Sequence, residues 1–265
     1  MFDQLAEKIQ LTEDDRIRFR SRADDVREAL IKTRLTDECF LIGSLNRGTA
    51  LQDFSDVDLL AVVDPICTDN SRPADVLPRL ASALTQRGEP AIYGKIAVTV
   101  TYPDNPSVDV LPARSLQEDN TFLIPAYGDI WRRYKPSELD TLVESTTDVL
   151  GPRVRRLIQL IKYWNNKNAA GLISSDLEEI ACIVVLKHHE MPSYLKAFAE
   201  IFEFLLDWTT NASRAVKAID RTFPIEPTKR IRSSITQSLS LVSEYERLSP
   251  GRDLLKELFG ANSAN

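Results

Sequence analysis

Three acidic side chains occupy positions where a carboxylate needs a reason to be. Asp56-Val57-Asp58 opens an apolar run that continues to Val63. On a strand, residues i and i+2 point the same way, about 6.6 Å apart along the chain. Two carboxylates so placed can converge on metal ions held about 3.5–4 Å apart; a merely polar strand entrance is the other reading. Asp109 sits between Val108 and Val110, and a carboxylate among apolar neighbours is costly unless it is paired or metal-bound. A structural ion pair is the alternative there. The segment Gly43-Ser44-Leu45-Asn46-Arg47-Gly48-Thr49 directly follows the apolar residues 39–42. Glycine lets backbone approach a ligand, and exposed N–H groups beside a serine hydroxyl suit phosphate oxygens, although many Gly-Ser pairs are plain turns.

The elements that must carry these residues can be read from periodicity. Thr12 can cap a helix over residues 12–33, with Ile17, Phe19, Val26, Leu30 and Ile31 as an approximate buried stripe. Residues 39–42 and 57–63 suit buried strands, the second apolar on both faces as a central strand is. A helix is expected over 73–88, with Val76, Leu77, Leu80 and Leu84 at helical spacing. Residues 96–102 alternate, with Ile96, Val98, Val100 and Tyr102 on one face, and after a turn at 103–106 a further strand spans 107–111. Strand signals stop after about residue 114. From Gly151-Pro152 onward the pattern is helical, with Val154, Leu157, Ile158, Ile161 and Trp164 as a buried stripe. Ser175-Asp176-Leu177-Glu178 has capping-box form and opens a helix to about His189, followed by helices over 193–208, 228–248 and a short one ending at Phe259. Strands first and helices afterwards predict an α+β lobe, residues 1–135, joined to an all-helical lobe, residues 136–265.

Composition narrows the class. Hydrophobic content of 43% and charged content of 27% are those of a globular protein. No apolar stretch is long enough for a membrane helix, and the N-terminus has no secretory pattern. Cys39, Cys67 and Cys182 are odd in number and far apart, which fits three buried thiols in a reducing cytoplasm rather than disulfides or zinc. The net charge of −6 favours small substrates over a long nucleic acid, which normally needs a basic face. His188 and His189, the only histidines, lie far along the chain from the acids and are expected to be structural or surface residues.

Taken together, Gly-Ser after a strand, Asp-x-Asp a dozen residues on and a lone Asp on a later strand resemble the DNA polymerase beta-like nucleotidyltransferases. In more detail the chain resembles the bacterial cyclic GMP–AMP synthase/DncV-like nucleotidyltransferases (CD-NTases), the cyclic-oligonucleotide synthases of phage defence. The resemblance rests on Gly43-Ser44 through Gly48-Thr49, Ser55-Asp56-Val57-Asp58-Leu59-Leu60, Val108-Asp109-Val110-Leu111-Pro112-Ala113, Ile124-Pro125, Trp131 ahead of Pro136, Leu160-Ile161-Lys162-Tyr163-Trp164, Ser174-Ser175 before Leu177-Glu178, and Leu258-Phe259-Gly260. It implies a polymerase beta-like lobe with a mixed sheet and a helical lobe closing the nucleotide cleft.

The resemblance also implies roles. Asp56 and Asp58 would bind two Mg2+ or Mn2+ ions, and Asp109 would complete the second site and help deprotonate the attacking hydroxyl. Gly43 and Ser44 would hold the β- and γ-phosphates, Lys162 would reach the triphosphate, and Ser174 and Ser175 would lie near the nucleotide. Residues 151–168 carry Arg153, Arg155, Arg156, Lys162 and Lys167 without an acid, either a phosphate-facing or a solvated surface. Leu45 departs from the aromatic or small polar residue common at its position. The leading expectation is an enzyme that makes a cyclic di- or oligonucleotide from nucleoside triphosphates, with a downstream effector protein as partner. Transfer to a tRNA end, a protein hydroxyl or a small molecule uses the same residues. A catalytically dead nucleotide-binding copy is disfavoured because all three acids are present.

Overall fold

A computed structural model describes residues 1–63, 71–104, 106–116, 119–126, 129–210, 229–247 and 254–260. The chain divides into two compact units, residues 11–141 and residues 1–10 with 142–265. Residues 1–10, grouped by sequence with the first lobe, therefore pack with the helical unit.

The first unit is built on a mixed seven-stranded sheet: β1 (Thr36–Ile42), β2 (Val57–Val63), β3 (Ala91–Tyr93), β4 (Val98–Val100), β5 (Val108–Ser115), β6 (Phe122–Ala126) and β7 (Ile130–Tyr134), in spatial order β1-β2-β5-β4-β3 with β6 pairing β5 and β7. Only β2 and β5 run parallel; the other pairs are antiparallel. Two strands beyond residue 114 correct the expectation that strands end there. β6 hides its strand character behind Pro125, and β7 pairs only with β6 and alternates little, with Arg132 and Arg133 exposed. The strand expected over 96–102 is shorter, and it closes a hairpin with β3 that its three-residue length concealed.

Helices α2 (Glu13–Thr33) and α4 (Pro73–Gln86) cover one face of the sheet. Thr12 caps α2 as expected, its hydroxyl accepting from the Asp15 N–H while Asp15 Oδ2 accepts from the Thr12 N–H at 3.1 Å. The Thr12 hydroxyl also donates to Asp15 Oδ2 at 2.7 Å, and this bond first, with that from the Thr12 N–H, holds the Asp15 carboxyl below its ordinary range. Phe19, Val26 and Leu30 are fully buried, but Ile17 is 60% and Ile31 48% exposed; the expected stripe was wider than the face α2 buries. The core beneath is Phe19, Val26, Leu30, Leu77, Leu80 and Leu84 against Val57, Leu59, Ala61, Val98, Val100, Val108 and Val110. The opposite face carries a smaller cluster, Ile42, Leu60, Ala113, Phe122 and Ile124.

These two faces fix the register. A one-residue slip of β2 would exchange Val57, Leu59 and Ala61 for Asp58, Leu60 and Val62 on the packed face. Each fully buried aliphatic side chain contributes about 1.5–3 kcal/mol, so the slip is excluded by packing alone.

The helical unit contains α1 (Phe2–Ile9), the greater part of α5 (Pro136–Leu150), α6 (Arg153–Lys167), α7 (Ser174–Val185), α8 (Tyr194–Thr210), α9 (Lys229–Arg247) and α10 (Leu254–Phe259). The sequence reading missed α1, only eight residues long, and α5. The predicted stripe of α6 is fully buried, and Trp164 Nε1 donates to Ser238 Oγ at 2.8 Å while its ring lies tilted against that of Phe202. Phe2 joins an aromatic cluster with Tyr194, Phe198 and Phe259, and Asp3 accepts from Tyr194 and Arg156. Helix α7 begins two residues earlier than expected from a cap at Ser175. Its N-cap is Ile173 with no side-chain cap, so Ser175 lies inside the first turn and does not cap. The helix ends at Val185, before His188, whose ring Nε2 pairs with Glu200 at 2.7 Å. Cys182 is buried as expected; Cys39 is only half-buried, and burial pushes its thiol up to about 11. Cys67 lies outside the described residues. Among the described residues, no helix is long and apolar enough to cross a membrane.

Lys162 and Glu178 form a buried ion pair at 2.8 Å, their side chains 4% and 1% exposed. Removing one partner of such a pair strands a buried charge and typically costs about 3–5 kcal/mol, whereas replacing both with apolar groups is often neutral. Glu178→Leu is therefore expected to lower unfolding free energy by about that amount, read by urea denaturation. The double variant Lys162→Met/Glu178→Leu should recover most of the loss.

Candidate functional site

The acids are brought together by register. Asp58 on β2 pairs with Asp109 on β5 across a parallel ladder, so both side chains leave the sheet on one face, opposite the α2–α4 core. Strand neighbours are about 4.8 Å apart. Asp56 stands two residues before Asp58, just ahead of β2, and its Oδ1 accepts from Ser107 Oγ at 2.6 Å. The Val57 N–H donates to the Ser107 carbonyl at 3.0 Å, tying the start of β2 to the residue before β5. Asp109 Oδ1 accepts from Thr99 Oγ1 at 2.6 Å, and Thr99 is its antiparallel partner on β4.

Electrostatics links the outer acids. Desolvation, chiefly, pushes the Asp109 carboxyl above its ordinary range; the Thr99 hydrogen bond opposes this, and the Asp56 charge adds to it. A repulsion of that kind between neighbouring carboxylates is what a bound cation relieves.

Gly43 and Ser44 open a five-residue helix, α3 (Gly43–Arg47), directly after β1, where the sequence suggested only a turn. Gly43 has a φ of +79°. A Cβ there would stand 2.0 Å from Asp58 Oδ2 and 2.9 Å from Asp58 Cβ, so the residue is glycine both for its conformation and because Asp58 occupies the space. Ser44 is buried. At the other end of α3, Arg47 and Asn46 both reach Asp140, Arg47 Nη1 to Oδ1 at 2.9 Å and Asn46 Nδ2 to Oδ2 at 3.1 Å.

Three hard carboxylate oxygen donors suit Mg2+ or Mn2+ rather than a soft metal. Among the described residues no three acidic, histidine or cysteine side chains are already gathered for a metal ion. Ser107 engages one oxygen of Asp56 and Thr99 one oxygen of Asp109, so the donor set fits such an ion in chemistry and leaves the second oxygen of each carboxylate outside those two bonds. Thr99 and Ser107 are the partners that sequence reasoning missed. With Val98 and Val100 assigned to the core face, strand alternation already put Thr99 on the other.

The remaining candidates lie in the helical unit. Lys162 is engaged with Glu178 in the buried pair. Ser174 is exposed and Ser175 half-buried at the start of α7. The basic residues of α6 are each occupied within that unit: Arg156 by Asp3 and Glu7, Arg155 by Glu144, Arg153 over the Tyr194 ring and Lys167 over that of Tyr163.

Comparison with known proteins bears on the fold and the family. No curated protein matches the chain. Among solved structures, E. coli MS115-1 CdnC with ATP is similar with a TM-score of 0.80 at 16% identity, over 98% of this chain and 96% of that one. CdnG of Bradyrhizobium diazoefficiens, a CD-NTase in complex with GTP, gives 0.78 at 14% identity, over 99% and 95%. Vibrio cholerae DncV, a cyclic AMP-GMP synthase, with the linear intermediate 5′ pppA(3′,5′)pG gives 0.62 at 16%, over 99% and 82%. At these identities the likeness is one of fold. The profile of the Second Messenger Oligonucleotide or Dinucleotide Synthetase (SMODS) domain matches residues 1–145, more than half of the chain and the whole of the acidic site. The chain belongs to the SMODS family and is a nucleotidyltransferase, with the fold seen in the CD-NTases.

Proposed function

We propose that this nucleotidyltransferase joins nucleoside triphosphates into a cyclic di- or oligonucleotide, releasing pyrophosphate. The observation that carries the reading is the pairing of Asp58 with Asp109 beside Asp56, with Gly43 packed against Asp58. Asp56, Asp58 and Asp109 would hold Mg2+ or Mn2+, which would supply charge neutralisation at the triphosphate and a lowered pKa for the attacking hydroxyl. Gly43 and Ser44 would bind the β- and γ-phosphates through main-chain N–H groups and the Ser44 hydroxyl. Asp109, half-buried and short of countercharge, would accept the proton of the attacking hydroxyl. In the helical unit Lys162, Ser174 and Ser175 are the proposed contacts to nucleotide; for Lys162 this means exchanging Glu178 for a phosphate, a like-for-like anionic partner.

The small-substrate reading is supported by the net charge of −6 and by similar proteins seen with ATP, GTP or a linear dinucleotide intermediate. A role in bacterial phage defence, in the cytoplasm and through an effector protein that reads the product, follows from the family resemblance. A second reading, transfer to a separate acceptor, is favoured by one observation: the Cid1 poly(U) polymerase shares the fold with a TM-score of 0.64 over 97% of this chain. Incubation with all four nucleoside triphosphates and Mg2+ or Mn2+, without nucleic acid, separates the two. Phosphatase-resistant products are expected; products only when an RNA or protein acceptor is added would replace the first reading with the second.

Two substitutions test the site. Loss of a metal ligand removes several kcal/mol of transition-state stabilisation, so Asp56→Asn and Asp58→Asn should each reduce turnover by roughly a thousandfold or more with an unchanged circular dichroism spectrum. Near-wild-type turnover in either would remove that residue from the site. Gly43→Ala forces Asp58 aside and places a side chain at positive φ, a strain of about 1–2 kcal/mol. Its turnover should fall toward that of Asp58→Asn while its melting temperature falls by only a few degrees.

A further inference from the structure

Thr99 sits at the centre of β4, between Val98 and Val100, whose side chains are fully buried in the core on the other face of the sheet. Alternation thus puts the Thr99 hydroxyl on the face that carries Asp58 and Asp109. It is the direct antiparallel partner of Asp109 and donates from Oγ1 to Asp109 Oδ1 at 2.6 Å, the length of a charge-assisted O–H···O⁻ bond. A β-branched side chain on a strand is stiff at χ1, so the direction of that donor is set by backbone rather than by solvent. The bond engages one carboxylate oxygen of Asp109, and Ser107 does the same to Asp56 through its Oδ1. Ser107 is attached just outside β5, and its bond to Asp56 is exposed; Thr99 is half-buried within the ladder and is the firmer of the two anchors.

We propose that Thr99 is a positioning residue for nucleotidyl transfer: its hydroxyl, by holding Oδ1, fixes the rotation of the Asp109 carboxylate and presents Oδ2 to the divalent cation. The inference rests on the reading of Asp109 as a metal ligand. A carboxylate free to rotate about its last torsion spends much of its time with neither oxygen aimed at the ion, and hydrogen-bond partners of metal ligands commonly govern affinity for this reason. The choice of threonine follows: valine at this position would match its shape and strand propensity but leave Asp109 unanchored, whereas serine would keep the donor.

The test uses the full chain and Mn2+ as the probe, with binding read from loss of the free-ion electron paramagnetic resonance signal and, separately, the Mn2+ concentration at half-maximal turnover. Thr99→Val is expected to weaken Mn2+ binding by roughly 10–100-fold, with Thr99→Ser within about threefold of wild type. The half-maximal Mn2+ concentration should rise in parallel, and the melting temperature should stay close to that of wild type in both variants. If Thr99→Val does not fold, Thr99→Ala is the substitute, with the same expectation. Wild-type Mn2+ binding in the folded valine or alanine variant overturns the proposal, as does a serine variant as impaired as valine. Asp109→Asn distinguishes the two layers of the argument. Its loss of Mn2+ binding beside an unaffected Thr99→Val sinks the Thr99 proposal alone. Unaltered binding in Asp109→Asn, or no saturable binding by the wild type, sinks the metal-ligand reading beneath it.

Discussion

The site depends on a repulsion that the fold holds in place. Asp58 and Asp109 stand opposite one another on neighbouring parallel strands, and burial first, with the Asp56 charge adding to it, raises the Asp109 carboxyl. Two carboxylate charges about 5 Å apart repel by roughly 3 kcal/mol at an effective dielectric of about 20. Nothing in the local sequence favours that arrangement. What enforces it is the other face of the same strands, where Val57, Leu59, Ala61, Val108 and Val110 are fixed in the core under α2 and α4. Several buried aliphatics at about 1.5–3 kcal/mol each outweigh the repulsion, and strand parity leaves the acids no other side on which to emerge. The smaller cluster of Ile42, Leu60, Ala113, Phe122 and Ile124 occupies the rest of that face, so the acids gather at one end of an otherwise apolar surface.

The same economy explains the neighbours of the acids. Gly43 follows β1 beside Asp58, because Ile42 pairs with Asp58 in the ladder and only a residue without a Cβ leaves room for the carboxylate. The turn that would take phosphate and the acids that would take metal are therefore set by one strand register. Thr99 and Ser107 tie the flanking carboxylates to side-chain hydroxyls on neighbouring segments. Arg47 and Asn46 anchor the far end of α3 on Asp140 near the start of α5, which holds the short helix by both ends.

Much of this was legible because period-two alternation is a local property. Asp56 and Asp58 could be assigned to one side of a strand and Asp109 to a costly place between two valines, while their meeting was expected from the family resemblance; the α6 stripe and Thr12 cap were equally local. Tertiary pairing was not legible. Residues 151–168 contain no acid, and so read as a basic surface, yet Glu178 from α7 and Asp3 from the opposite end of the chain occupy two of its cations. Ser175 fitted a capping box, but the N-cap lies two residues earlier, at Ile173, with no side-chain cap. The strands β6 and β7 were missed because proline and arginine residues mask alternation where a strand is short or lies at an edge. Family membership explains why the acid pattern and glycine-serine turn occur together; the physical reading explains why they must lie where they do.

The central claim is that Asp56, Asp58 and Asp109 form one cation-binding site. Crystals soaked with Mn2+ and a non-hydrolysable nucleoside triphosphate analogue test it most directly, through the anomalous scattering of manganese. The account predicts anomalous peaks within coordination distance of Asp56, Asp58 and Asp109. Manganese bound to the nucleotide but away from all three carboxylates would contradict it.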